Sequence, residues 1–213
     1  MKTDDLINSL SHDLAPVSTR SLGLRMTAGL GAGAVASALV MLQWLHLRDD
    51  LMLALATPMF WVKFAYTGLS FIALYLALSR LARPGLAVGR LLFWIGLPLA
   101  ILTTMAVVRM AGADAAERMP LVMGSSSQVC PWRITMLSLP ILAGAIWAMR
   151  GMAPTRLGLA GLAAGACAGA LGAWIYAFHC GESAAPFVAI WYTVGVMAVA
   201  ALGGLVGRFA LRW

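Results

Sequence analysis

The sequence contains few charged residues. Of its 213 residues only 11% are Asp, Glu, Lys or Arg, whereas 62% are hydrophobic and the mean hydropathy is +0.87. A typical soluble domain has about 25% charged residues, so this composition excludes water as the main solvent of the chain. A membrane-spanning helix needs roughly 20 consecutive apolar residues, which leaves room for about six spans and little else.

Acidic residues are absent from the long apolar stretches. These stretches predict six membrane helices, at 26–47, 59–79, 91–109, 134–149, 157–178 and 187–207. A proton-coupled or cation-coupled carrier usually keeps a carboxylate inside the membrane, so its absence argues against that class, although a small-molecule or metal transporter stays open as an alternative. Lys63 lies one turn from the end of the second predicted helix, where we expect its side chain to snorkel to the interface.

A cleavable signal peptide is not expected, because acidic residues lie near the N-terminus where its apolar core would be.

The distribution of Lys and Arg predicts the topology. With the N-terminus inside, the cytoplasmic side holds Lys2, Arg20, Arg25, Arg80, Arg83, Arg90, Arg150, Arg156, Arg208 and Arg212, and the outer side holds Arg48, Lys63, Arg109, Arg118 and Arg133. The positive-inside rule then predicts an all-α, six-helix bundle of the bacterial inner membrane, with both ends in the cytoplasm.

The net charge of +7 does not indicate nucleic-acid binding. The basic residues are scattered singly at the ends of apolar runs, and they do not form a stripe. No glycine-rich phosphate loop is present on the cytoplasmic side either. We therefore expect membrane lipid as a partner and no direct contact with nucleic acid.

The segment 1–25 precedes the first predicted span and contains a candidate amphipathic helix. Thr3 can cap it, acidic residues in the first turn suit the helix dipole, and Pro16 stops it. Its large apolar residues share one face: Leu6, Ile7, Leu10 and Leu14. An isolated helix of about 12 residues is marginal in water, so this one needs a surface to fold upon.

Two surfaces are open to this helix, the membrane and a protein. Helices that lie on the anionic inner leaflet carry Lys or Arg on their polar face, whereas this segment carries Asp4, Asp5 and Asp13. Acidic charge favours a basic protein partner that binds the apolar face in a groove. A segment that lies along the lipid without a partner stays open.

Cysteine is scarce, with three residues, which is too few for a disulfide scaffold. Cys130 precedes the fourth predicted helix by a few residues, and Cys180 directly follows the fifth. Antiparallel helices joined by a short turn are neighbours, so we expect these two thiols to approach each other on the outer side. A disulfide needs Cα atoms within about 7 Å, which the sequence does not establish. Cys167 is interpreted as a small packing residue.

Three roles stay open for the cysteine pair. It can be a structural clasp between helices, an oxidant sensor or a soft-metal sensor, and in the sensors His179 and Glu182 would tune the thiols or add ligands. The pair can also belong to a membrane thiol oxidoreductase. Such enzymes generally use vicinal thiols, and the stretch from Cys130 to Arg133 lacks a second cysteine.

Glycine recurs at helical spacing in several predicted spans, as in Gly29-x-x-x-Gly33 and in the run of Gly161, Gly165 and Gly169. Removing side chains at this spacing lets helix backbones approach closely. The pattern favours packing within the bundle, and a homodimer stays open.

The whole chain resembles the NrsF-type membrane anti-sigma factors of proteobacteria, which restrain extracytoplasmic-function sigma factors. The resemblance depends on short motifs in a fixed order. They are Met1 to Ile7, Pro58-x-Phe60-Trp61, Gly124 to Cys130, His179-Cys180 followed by Phe187 and Trp191, and Gly207-Arg208 with Arg212-Trp213.

The resemblance implies a sigma-binding segment at 1–25 and a six-helix sensor domain at 26–213, with no enzyme activity. The binding residues would be Asp4, Asp5, Leu6, Ile7, Leu10 and Leu14. Cys130 and Cys180 would take part in the response to heavy-metal or oxidative stress, with a candidate metal set of Cys130, Cys180 and His179. No cofactor is expected beyond a soft or borderline metal ion as the signal. We hypothesise that the signal changes the packing of the fourth and fifth helices and releases an extracytoplasmic-function sigma factor.

Overall fold

The computed structural model describes residues 3–12, 19–83, 89–152 and 154–212. Six of its helical segments are long and apolar enough to cross a membrane, which confirms the predicted number. The helices are α1 (Thr3–Ser11), α2 (Thr19–Val40, extended by a π-helical turn at Met41–Leu45), α3 (Leu51–Leu55), α4 (Pro58–Leu81), α5 (Leu91–Ala111), α6 (Ala115–Met123), α7 (Cys130–Met149), α8 (Leu157–Tyr176) and α9 (Ala185–Ala210, with a π-helical turn at Val188–Tyr192).

Helix α7 begins earlier than the sequence predicted. Cys130 is its first residue, and Pro131 lies in the first turn. Backbone N–H groups in the first turn have no acceptor within the helix, so the N–H that proline lacks is not needed there. The Cys130 N–H donates to the Ser126 carbonyl at 2.9 Å. Cys130 is therefore fixed at the start of the helix and does not lie in the loop before it.

Helix α2 also begins earlier than predicted, so that Arg25 is part of it. The Arg25 Nη2 atom donates to the Trp147 carbonyl at 3.3 Å, and the Arg25 guanidinium lies 4.9 Å from the centre of the Trp147 ring. These contacts with α7 compensate the charge near the membrane and allow the helix to extend past it. The short helices α3 and α6 lie in segments that the sequence predicted only as connections.

Helix α8 is at the centre of the bundle. In its most apolar stretch 72% of the residues are buried within the protein, against 17% in α5 at the periphery. Helices α4, α7 and α9 pack around α8, and α2 packs against α7. The small Ala and Gly side chains of α8 make this central position possible, since three neighbours can approach it closely.

The glycine pattern serves contacts within the chain. A Cβ atom on Gly33 would lie 2.6 Å from the Cα of Ile141 and 2.7 Å from the Pro140 carbonyl oxygen. At Gly161 it would lie 2.8 Å from the Cα of Gly207. The predicted packing role within the bundle is confirmed at both places.

The six long helices place the start of α2 and the end of α9 at the same end of the bundle. At the opposite end lie the segments 46–57, 112–129 and 177–184, which we call the loop face. Hydrogen bonds join all three regions: the Arg48 N–H donates to the Phe178 carbonyl, and the Ser125 N–H donates to the Glu182 carboxylate. The loop face is therefore one connected structure.

Replacing Gly33 by alanine is expected to destabilise the protein by about 1–3 kcal/mol, because the new methyl group meets the backbone of α7. Gly31→Ala is the matched control, since a Cβ atom there meets nothing within 4 Å. Thermal unfolding in detergent measures both variants. Equal melting temperatures for the two would contradict the close packing of α2 on α7.

Candidate functional site

The structure places Cys130 and Cys180 side by side at the loop face. Cys130 starts α7, and Cys180 lies shortly after α8, where its N–H donates to the Tyr176 carbonyl at 3.0 Å. The exposed fractions of the two residues are 0% and 3%. Both are free thiols, and their side chains are close neighbours. The sulfur at the start of α7 and the sulfur in the loop after α8 therefore share one buried site.

Lys63 of α4 belongs to this site, and the expectation that it snorkels to the interface is wrong. Its exposed fraction is 1%. The Nζ atom donates to the Cys180 carbonyl at 2.8 Å and to the Glu182 carbonyl at 3.0 Å, and it lies 5.8 Å from the centre of the Tyr192 ring. The carbonyl groups of Cys180 and Glu182 bind the ammonium group inside the protein, so it does not extend to the membrane–water interface. One feature of the sequence could have indicated this role, namely a lysine within an apolar helix.

A second cation reaches the same carbonyl group. Arg48 Nη1 donates to the Cys180 carbonyl at 3.2 Å. Both oxygens of Asp50 accept hydrogen bonds from the Arg48 guanidinium, at 2.7 and 2.6 Å, which fixes its orientation. The Cys180 carbonyl is thus the acceptor at which α4 and the segment after α2 meet.

His179 uses both of its ring nitrogens in structural hydrogen bonds. Arg133 Nη1 donates to Nε2 at 3.2 Å, so Nε2 is the unprotonated nitrogen. Nδ1 then carries the proton and donates to the His46 carbonyl at 3.0 Å. His179 therefore ties α7 to the end of α2.

Glu182 is bound by the loop that precedes α7. One carboxylate oxygen accepts hydrogen bonds from the Ser125 N–H at 2.7 Å, the Ser125 hydroxyl at 2.7 Å and the Ser126 hydroxyl at 3.2 Å. Burial by itself would raise the pKa of Glu182, but these hydrogen bonds outweigh it and lower the pKa below its ordinary value. Glu182 is therefore a charged clamp between two loops.

Gly124 makes this clamp possible. Its φ of +53° is a left-handed conformation that favours glycine, and a Cβ atom there would lie 2.6 Å from Glu182 Oε2. The residue lies within the Gly124 to Cys130 motif of the sequence. Its contribution is conformational, because it lets the serine N–H and hydroxyl groups turn toward the carboxylate.

A polar cavity of about 300 Å³ leads to the thiol pair. Of the two sulfur-bearing residues only Cys180 lines it. The lining residues are Ser125, Ser126, Arg133, Tyr176, His179, Cys180, Gly181 and Glu182. A small polar molecule that enters the cavity meets Cys180 before it meets Cys130.

The geometry favours thiol chemistry over a multidentate metal site. Within the described part of the chain, no group of three or more His, Cys, Asp or Glu residues is placed to hold a metal ion. The candidate set of Cys130, Cys180 and His179 does not come together as ligands, since His179 is committed to Arg133 and His46. Glu182 is likewise committed to the serines. A metal ion would find the two sulfurs alone.

The surroundings of Cys180 favour its thiolate form. The neighbouring Cys130 thiol is the largest influence, and the positive charge of Lys63 adds to it, so that the pKa of Cys180 is lowered below its ordinary value although burial opposes the shift. Tyr192 also lowers the pKa of this thiol. A thiolate is the reactive form of cysteine toward oxidants and alkylating reagents.

The N-terminal segment forms the predicted helix, α1. Asp5, Leu6 and Ile7 are exposed on it, with exposed fractions of 41% for Leu6 and 57% for Ile7. Asp4 and Leu10 are part of the helix, but the structure does not describe their side chains, and Leu14 lies outside the described residues. Helix α1 precedes the end of α2 that is far from the thiols.

Together, the six spans, the connected loop face and the short leading helix describe a multi-pass membrane protein. Comparison with known proteins places it among the anti-sigma factors, which are regulators and not enzymes. The family model described as "Negative regulator of sigma F" matches residues 10–213. No solved structure matches the chain.

Two curated relatives align over the full length of both chains. The anti-sigma-F factor NrsF of Caulobacter vibrioides (strain NA1000 / CB15N) is 43% identical over 215 residues, which is 100% of each chain. The probable anti-sigma-F factor NrsF of Azospira oryzae (strain ATCC BAA-33 / DSM 13638 / PS) is 40% identical over 213 residues, again 100% of each. The chain belongs to the NrsF family of negative regulators of sigma F, which implies a sigma factor as its partner. The predicted family and the regulatory role are confirmed.

Alkylation of Cys180 by iodoacetamide is expected to stay fast below the ordinary cysteine pKa and to slow only at lower pH, because protonation removes the reactive thiolate. Mass spectrometry that resolves each cysteine measures the rate in the folded protein across this range. The unfolded chain is the control, and its midpoint should return to the ordinary cysteine pKa of about 8.5. A folded-state midpoint equal to that of the unfolded chain would show that the site does not favour the thiolate.

Proposed function

We propose that this anti-sigma factor lies in the bacterial inner membrane, binds an extracytoplasmic-function sigma factor through its cytoplasmic N-terminal segment, and releases it when Cys130 and Cys180 are modified on the periplasmic side. The observation that carries this proposal is the adjacency of the two thiols at the end of the bundle opposite the start of α2, the helix that follows α1 in the chain. Binding and sensing are thereby separated across the membrane.

The acidic, exposed face of α1 supports the binding role. Leu6 and Ile7 offer apolar contacts beside Asp5, a combination that suits a groove on a basic, DNA-binding protein. The excess of Lys and Arg at the same end of the bundle supports a cytoplasmic location for this segment. Sequestration at the membrane would then keep the sigma factor away from promoters.

The polar cavity supports an oxidant as the signal. A small two-electron oxidant such as hydrogen peroxide that reaches the Cys180 thiolate can join the two sulfurs. Two electrons pass to the oxidant together with the proton of the Cys130 thiol and one proton from solvent, and the peroxide leaves as two water molecules. The products are a disulfide and the reduced oxidant. The reaction requires the sulfurs to come within bonding distance, and the neighbouring, buried side chains of Cys130 and Cys180 support this pairing.

Release requires that the modified and unmodified proteins differ in their affinity for the sigma factor. Cys130 is rigidly part of α7, and Cys180 is held close to the end of α8 by its bond to Tyr176. Joining the sulfurs shortens the distance between them and therefore changes how α7 and α8 pack. We propose that this change is transmitted to the end of the bundle that carries α1.

Replacing residues 2–15 by a Gly/Ser linker of equal length is expected to abolish repression, because the contacts of α1 are lost. A sigma-dependent reporter should then be fully active without stress. Immunoblotting of membrane fractions verifies that the variant is inserted at normal levels. If repression persists in an inserted variant, the sigma factor binds elsewhere.

Replacing both Cys130 and Cys180 by serine is expected to preserve repression and abolish induction, because serine packs similarly but forms no disulfide. The reporter is measured with peroxide and, separately, with a thiol-binding metal ion. Cys167→Ser is the matched control, since Cys167 is buried within α8 away from the pair, and it should respond normally. A normal response of the double variant to both stressors would remove the pair from the mechanism.

A further inference from the structure

We propose that Lys63 positions Cys180 against Cys130 and couples the thiol pair to helix α4. The inference rests on the proposed sensing role of the pair, and it adds a third membrane helix to the two that bear the thiols. Its basis is the pair of hydrogen bonds from the Lys63 ammonium group to the loop that holds Cys180.

The first step concerns the cost of the buried charge. An ammonium group with an exposed fraction of 1% must be compensated by its neighbours. Among the described residues, no carboxylate lies within ion-pair distance of Lys63. Its charge is instead balanced by two backbone carbonyls, by the Cys180 thiolate and by the electron-rich face of Tyr192. All of these except Tyr192 belong to the Cys180 loop, so Lys63 depends on that loop for its compensation.

The second step concerns the loop itself. The two acceptor carbonyls lie on either side of Gly181, and a Cβ atom at Gly181 would meet nothing within 4 Å. This point of the loop is therefore fixed by hydrogen bonds and not by packing. By binding the carbonyls of both flanking residues, Lys63 fixes the backbone orientation of Cys180, and with it the direction in which the sulfur points.

The third step compares Lys63 with Arg48, which shares the Cys180 carbonyl. Arg48 is already bound by both oxygens of Asp50, so it keeps a partner when the loop moves. Lys63 has no carboxylate partner of this kind within the described part of the chain. A displacement of residues 180–182 on thiol modification would leave its ammonium group without acceptors unless α4 moves with the loop. Helix α4 also packs on the central helix α8, so its movement is transmitted through the bundle.

The main experiment compares Lys63→Met, which removes the charge at similar length, with Lys63→Arg, which keeps it. Disulfide formation between Cys130 and Cys180 is followed in the purified, full-length protein with diamide as the oxidant, by mass spectrometry of the linked peptides. Loss of two charge-assisted hydrogen bonds should slow the reaction of Lys63→Met by about tenfold. Lys63→Arg should retain most of the rate. Arg109→Met is the control for charge removal alone, because Arg109 contacts Glu117 at the surface and does not contact the thiols.

An unchanged rate in Lys63→Met would overturn the positioning role. If that variant does not fold, hydrogen exchange in the unsubstituted protein decides the question. Oxidation of the pair should increase exchange in the first turns of α4 and leave the peripheral helix α5 unchanged. Equal exchange of α4 before and after oxidation would overturn the coupling.

These readouts are independent of the proposed function. They are obtained on purified protein without a sigma factor, so they remain interpretable even if the double cysteine variant responds normally in cells. In cells, Lys63→Met should repress normally and require more oxidant for induction, and Lys63→Arg should restore the normal response. Induction of Lys63→Met at the normal oxidant concentration would contradict the inference, whereas failure of the double cysteine variant to lose induction would contradict the proposed function.

Discussion

The structure of the loop face depends on one constraint: polar groups at the edge of a membrane bundle must find partners within the protein. Three cations satisfy this constraint through backbone carbonyls or a histidine ring. Lys63 and Arg48 meet at the Cys180 carbonyl, and Arg133 binds His179. Because these contacts come from different helices, they fix the helix ends relative to one another, and the thiols are held together as a consequence.

The sequence predicts the fold well where one physical signal dominates. Apolar runs located the six spans, and antiparallel topology brought Cys130 near Cys180, because both signals are local or follow from connectivity. The inward turn of Lys63 could not be predicted in this way. It depends on acceptors at positions 180 and 182, more than a hundred residues away in sequence. The helix ends differ from the predicted ones for a similar reason. Arg25 and Cys130 are part of helices because of contacts that hydropathy does not measure.

The site also shows why residue type alone misassigns ligands. His179 and Glu182 flank Cys180 closely in sequence and suit a metal ion by their chemistry, but each is already used in a structural contact. The hydrogen bonds that occupy them also shape the cavity beside Cys180. Their contribution is therefore to the shape and charge of the cavity beside Cys180, and the short Gly124 to Cys130 motif is part of that same construction.

The dimensions of the cavity have a consequence for selectivity. If the pair has the proposed sensing role, a chamber of about 300 Å³, walled by two loops that Glu182 holds together, would favour molecules of a few atoms over the surface of a folded oxidoreductase. Such a regulator would report on the chemical composition of its surroundings and stay insensitive to the cell's own machinery for disulfide formation.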